Sequence, residues 1–103
     1  LFVEDCAIAL WQIIGKNGTG IYHLSGSDRL SLYEFALQTA EIFRLQKGLV
    51  EAVPSSYFGE LAPRPVDTSF STSKVQAELK IHLRGTEAGL RRMRATRPDW
   101  IGK

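Results

Sequence analysis

An arginine between two prolines is the residue of this sequence best suited to bind an anion. Arg64 lies in the run Ala62-Pro63-Arg64-Pro65. Proline fixes its own backbone angle and disfavours helix at the residue before it, so the two prolines hold Arg64 on an extended, presented segment. A guanidinium donates two parallel hydrogen bonds to phosphate oxygens, which fits a phosphorylated ligand. The structural alternative is an ion pair with Asp67 or with a neighbouring helix end, and the sequence leaves both open.

The run Ser71-Thr72-Ser73-Lys74 has a spacing that could support a second kind of chemistry. An S-x-x-K pair places an acylatable serine at a helix start beside a lysine, but the companion motifs of the β-lactamase type are missing. We therefore expect Thr72 or Ser73 to cap a helix. Lys74 is then expected to be structural or to lie near a ligand.

Side chains for other catalytic or metal chemistry are scattered along the chain. His23 and His82 belong to no metal-ligand spacing and to no Cys/His or Ser/His/Asp set. No tyrosine is followed by a lysine four residues later, and no Gly-x-x-Gly-x-x-Gly turn for a dinucleotide occurs. The sequence thus predicts no catalytic residue, no metal ligand and no bound cofactor in this chain.

Four blocks of the sequence carry a family pattern when they are taken in order. The first is a V-x-D-x-A helix start at Phe2-Val3-Glu4-Asp5-Cys6-Ala7, and the second is a G-x-[FY]-[HN]-L-x-G strand at Gly20-Ile21-Tyr22-His23-Leu24-Ser25-Gly26. The third is an S-x-Y-E-F-A helix opening at Ser31-Leu32-Tyr33-Glu34-Phe35-Ala36. The fourth is an R-P-x-x-[TS] loop within Ala62-Pro63-Arg64-Pro65-Val66-Asp67-Thr68-Ser69-Phe70-Ser71-Thr72-Ser73-Lys74. Together they resemble the carboxy-terminal part of dTDP-4-dehydrorhamnose reductases, which are extended short-chain dehydrogenases. Ser71 stands where that family commonly has Asp, another helix-capping residue type.

The resemblance implies the substrate-binding domain of a protein that reduces dTDP-4-dehydro-L-rhamnose to dTDP-L-rhamnose with NAD(P)H. The cofactor and the catalytic Tyr and Lys would belong to a Rossmann domain upstream, so this chain alone is expected to be inactive. Arg64, Tyr57 and Lys74 are the predicted residues that bind the nucleotide-sugar substrate. Two alternatives stay open: a non-catalytic regulatory module like the methionine adenosyltransferase β subunit, and the substrate domain of another nucleotide-sugar epimerase or dehydratase.

Composition limits the chain to one small globular domain. Of its 103 residues, 44 % are hydrophobic and 23 % are charged, and no apolar run approaches the roughly 20 residues of a membrane span. The net charge is +2, and without interleaved exposed aromatics or a known module it does not predict nucleic acid binding. The single Cys6 cannot form an internal disulfide, so we expect a cytoplasmic protein.

The elements that must position the arginine loop are helices and short strands. Helices are predicted at residues 3–15, from Ser31 onward, near 73–79 and near 86–97. The second helix has a capping box of Ser31 with Glu34, and Thr86 is the predicted cap of the last.

Strands are predicted at residues 20–24 and 49–53, where β-forming side chains precede turn residues or proline. The expected fold is therefore α+β, with about four helices and two short strands and without the Rossmann cofactor domain. It spans residues 1–97, with a tail at 98–103. The long irregular segment 55–71 carries Tyr57 and Arg64, two of the three predicted substrate contacts.

Residues 3–15 are apolar on nearly every side of the predicted helix. Such a helix in a soluble protein must be buried on several sides, and a domain of this size has little to bury it with. We therefore expect it to pack against the missing Rossmann domain that the resemblance implies, or to mediate self-association through residues 3–15.

Overall fold

A computed structural model describes residues 1–59, 62 and 65–96 of the chain. These described residues form four α-helices and two 3-10 helices: α1 (Val3–Gly15), α2 (Leu32–Ile42), a first 3-10 helix (Lys47–Leu49), a second 3-10 helix (Ser55–Phe58), α3 (Ser73–Leu79) and α4 (Thr86–Thr96). The four helices lie where the sequence predicts them. The predicted tail at 98–103 lies outside the described residues. None of the helices found in this part of the chain combines the length and apolarity needed to cross a membrane.

The predicted α+β class is wrong, because no residue in the described ranges forms a β-strand. Residues 20–24 do alternate as a strand would, since Tyr22 and Leu24 are half-buried against the core whereas their neighbours Ile21 and His23 are exposed. A strand also needs a second segment with which to exchange ladder hydrogen bonds. Residues 49–53 do not supply it, because the first of them ends a 3-10 helix and the others are irregular. The described chain is therefore all-helical.

Helices α1 and α2 end in the same kind of hydrogen-bonded turn. After α1, Asn17 takes a left-handed conformation with φ of 53°, and Gly18 donates its N–H to the Ile13 carbonyl at 2.8 Å. After α2, Arg44 takes that conformation with φ of 57°, and the next amide donates to the Ala40 carbonyl at 2.7 Å. These bonds satisfy carbonyls that a helix end leaves unpaired.

The core is formed by two helix pairs, α1 with α3 and α2 with α4. Around the first pair, the buried cluster consists of Ala9, Val75, Leu79 and Leu83. In the second pair, the buried apolar side chains are Ala40, Ile42 and Leu90. The described part of the chain thus buries few apolar side chains, so polar links between the elements contribute much of the specificity of their packing.

Two carboxylates form such links. Asp5 of α1 is buried and accepts the backbone N–H of Arg84 at 2.9 Å. Asp28, in the turn before α2, accepts the N–H of Thr86 at 3.1 Å and its hydroxyl at 2.9 Å. Because Thr86 is the first residue of α4, Asp28 satisfies a helix N–H that has no partner within the helix. The sequence predicts Thr86 as the cap of this helix, but in the structure the carboxylate of Asp28, 58 residues earlier, caps it.

Candidate functional site

A polar groove of about 580 Å³ lies beside the turn that precedes α2. One wall comes from residues 25–34 and the other from residues 66–69, and Leu1 and Thr86 complete the lining. The volume falls within the range of roughly 300–1,000 Å³ that is typical of small-molecule sites. The groove is therefore large enough to hold part of a nucleotide sugar.

Local sequence shapes the first wall. The Ser31 hydroxyl accepts the N–H of Glu34 at 3.1 Å, and the Glu34 carboxylate accepts the N–H of Ser31 at 3.4 Å. This is the predicted capping box, and it starts α2 at Leu32. The turn that carries Asp28 and Arg29 is consequently anchored on both sides, by α2 that follows it and by the contact of Asp28 with α4.

Asp67 organises the opposite wall. One of its oxygens accepts the Ser69 N–H at 2.9 Å and the Ser69 hydroxyl at 2.7 Å. Its other oxygen lies 2.8 Å from Nη2 of Arg29, so an ion pair joins the two walls of the groove. The hydrogen bonds from Ser69, and then the positive charge of Arg29, lower the pKa of Asp67 below its ordinary value.

The groove carries charged side chains that can bind a polar ligand. Its charged residues are Asp28, Arg29, Glu34 and Asp67. A carboxylate has more acceptor sites than the contacts above use, and a guanidinium has five N–H donors. These groups match the hydroxyl and carbonyl oxygens of a sugar. The described lining contains no His, Cys, Tyr or Lys, and each of its three carboxylates accepts at least one hydrogen bond within the fold.

The structure describes two of the three residues that are predicted to bind substrate. Arg64 lies outside the described residues. Tyr57 is in the second 3-10 helix, where its ring is 71 % exposed and meets the Phe58 ring edge-on with centroids 5.4 Å apart. The described lining of the groove includes neither Tyr57 nor Lys74. The binding roles of all three residues stay predictions.

Lys74 makes contacts within the fold. Its Nζ donates to the Ile21 carbonyl at 2.8 Å and lies 4.2 Å from the centre of the Tyr22 ring. These contacts fasten α3 to the segment that the sequence predicts as a strand. Thr72 holds the N-cap position of α3 as predicted, but its side chain accepts no hydrogen bond from the helix backbone.

Sequence analysis missed Asp28 and Arg29 as residues of the groove. Their only local signal is that two charged residues stand in a turn just before the Ser31 cap. The sequence offers Asp67 as an ion-pair partner for Arg64, and the structure pairs it with Arg29. Because turn residues reach their tertiary partners across long stretches of chain, no local pattern predicts these pairs.

Most of the chain matches the model of a known protein family. Residues 2–97 match the family described as RmlD substrate binding domain. The chain belongs to this family. The match confirms the resemblance to dTDP-4-dehydrorhamnose reductases that the four sequence blocks indicate. No curated protein and no solved structure matches the chain.

A second surface of this RmlD-family domain lies on the outer side of α1. Four exposed apolar residues are spaced four, three and four positions apart and form what we call the α1 seam: Val3, Ala7, Leu10 and Ile14. This spacing places them on one face of the helix, whereas Ala9, on another face, is buried in the core. The exposed ring of Trp11 stands beside them. Such a row of apolar side chains packs well against a second helix or an apolar sheet.

Proposed function

We propose that the groove binds the nucleotide sugar in a protein that reduces dTDP-4-dehydro-L-rhamnose to dTDP-L-rhamnose. The family match over residues 2–97 carries this proposal, because the matched family is a substrate-binding domain. The groove supports it further, since its volume of about 580 Å³ and its polar walls suit a hydroxylated ligand.

Within this proposal, the three residues that the sequence predicts to bind substrate contribute the remaining ligand contacts. Arg64 is assigned to the diphosphate because a guanidinium pairs with two phosphate oxygens at once. Tyr57 offers an exposed aromatic ring against which a base or a sugar can pack. For Lys74, a contact with the ligand would require exchange of its present hydrogen bond with the Ile21 carbonyl.

Hydride transfer is assigned to a Rossmann-type partner domain that carries NAD(P)H. The sequence of this chain has neither the glycine-rich dinucleotide turn nor the Tyr-x-x-x-Lys pair, so its residues do not fit the cofactor. The α1 seam is the surface that we assign to that partner, because burying one large apolar side chain contributes about 1.5–3 kcal/mol. Two copies of the chain on their own would cover the seam by self-association.

The binding proposal is tested by a titration of the chain with dTDP-rhamnose and with dTDP, followed by amide chemical shifts. We expect shifts in residues 25–34 and 66–69 and a weaker complex for Arg64→Ala. Arg91→Ala is the control, because Arg91 is an exposed arginine of α4 that pairs with Glu87 outside the groove. If neither ligand changes the amide chemical shifts of the wild-type chain, the result would contradict the binding role and would favour a non-catalytic interaction module.

The division of labour between domains has its own test. The chain alone, mixed with NADPH and the 4-keto sugar nucleotide, is expected not to oxidise NADPH, so the absorbance of the reduced cofactor should stay constant. Turnover by the chain alone would overturn the assignment of the chemistry to a partner.

The α1 seam is tested by sedimentation of the wild type and of Leu10→Asp. We expect the wild type to associate and Leu10→Asp to be a monomer of unchanged helical content.

A further inference from the structure

One ion pair connects the two walls of the groove. Nη2 of Arg29 lies in the wall before α2, and its partner oxygen of Asp67 lies 2.8 Å away in the opposite wall. Because each residue belongs to a different wall, this contact links the two walls at that point.

The wall at 66–69 has little else to hold it. Every described residue from 54 to 71 is exposed, so burial in the core does not fix this part of the chain. Apart from the ion pair, the described contact that ties it to another element is a stack of the Phe70 ring on the His23 ring, with centroids 4.9 Å apart. Segments with few buried contacts have low local stability, so single surface contacts decide their position.

The Asp67 carboxylate is oriented before it meets Arg29. Its other oxygen accepts two hydrogen bonds from Ser69, which close a tight turn within the wall. An exposed ion pair normally gains little because two flexible side chains must be ordered. Here one partner is already held, so less conformational freedom is lost when the pair forms.

We propose that Arg29 is a positioning residue, whose ion pair with Asp67 holds residues 65–70 in place as the second wall of the ligand groove. This inference rests on the proposed binding function and adds a residue that controls it. Arg29 then acts on ligand affinity through the position of the second wall, whereas Arg64 acts through direct contact with the diphosphate.

The experiment compares the wild type with Arg29→Ala, Asp67→Asn and the double variant. Asp67→Asn is chosen because asparagine keeps an acceptor for Ser69 and removes the charge that Arg29 needs. Backbone order at residues 65–70 is measured by heteronuclear NOE, and dTDP affinity is measured by shift titration. Arg91→Ala is the matched control, since the Arg91–Glu87 pair has a similar length of 2.9 Å and similar exposure.

We expect each single variant to lower backbone order at 65–70 and to weaken dTDP binding about two- to fivefold, the range of a surface ion pair. The double variant should be no weaker than the single ones, and the urea midpoint of all variants should stay near that of the wild type. Unchanged order in Arg29→Ala, or additive losses in the double variant, would overturn the role of Arg29. The order measurement needs no ligand, so a wild type that binds no dTDP refutes the proposed function separately.

Discussion

The buried carboxylate of Asp5 provides the sharpest test of how this small domain is held together. It is 5 % exposed, accepts the Arg84 N–H at 2.9 Å and lies 3.1 Å from Nη1 of the same arginine. That Nη1 atom is itself buried and makes no well-directed hydrogen bond. Replacing Asp5 by alanine would leave the amide without an acceptor and the guanidinium without its nearest negative charge.

We expect Asp5→Ala to lower the free energy of unfolding by about 2–3 kcal/mol. A buried amide that loses its acceptor costs about 1–3 kcal/mol, and removing one partner of a fully buried ion pair costs about 3–5 kcal/mol. The ion pair here is only partly buried, because the Arg84 side chain is 36 % exposed and water can reach it, so the total cost should lie in the upper part of the range for the amide. Asp5→Asn keeps an acceptor for the amide and loses only the charge, so its cost should be about 1 kcal/mol.

Urea unfolding followed by far-ultraviolet circular dichroism measures this difference. With a denaturant slope of about 1–1.5 kcal/mol per molar, the midpoint of Asp5→Ala should fall by roughly 2 M. Glu4→Ala is the control for exposure, because Glu4 lies 3.8 Å from the same Nη1 atom and 3.2 Å from Nε of Arg92 but is 41 % exposed, so its loss should cost about 0.5–1 kcal/mol. Equal losses for the two variants would refute the argument from burial.

Three further predictions concern helix ends and charge. Asp28→Ala should remove the tertiary cap of α4 and lower the free energy of unfolding by about 1 kcal/mol, whereas a loss confined to the ligand groove, with no change in urea midpoint, would contradict this. Arg44→Gly should raise it by about 0.5–1 kcal/mol, because glycine adopts the φ of 57° at this position without strain; a lower urea midpoint would disprove this. Since the pKa of Asp67 is lower in the folded than in the unfolded chain, its contribution to stability is complete above the ordinary Asp pKa and is lost as the pH falls through the lowered value. Carboxyl chemical shifts should show that lowered pKa, and Asp67→Asn should remove this part of the acid dependence.

The predicted helices are correct because their signals are local. The capping box of Ser31 and Glu34 and the left-handed Asn17 after α1 involve groups within a few residues of one another. The strand prediction failed for the opposite reason. Residues 20–24 have the alternation of a strand, but alternation cannot show whether a second segment is present to pair with it.

The sequence by itself determined where the four helices lie, the apolar character of α1 and the family resemblance, because these depend on side-chain periodicity, on bonds within one turn and on motifs in order. Only the tertiary structure decided the groove and the polar links around it. Asp28 with Thr86 and Asp5 with Arg84 are separated by 58 and 79 residues, and Arg29 meets Asp67 across a groove that neither residue forms alone. Such contacts depend on how the helix pairs pack in three dimensions, and the spacing of residue types along the chain does not show which distant residues will meet.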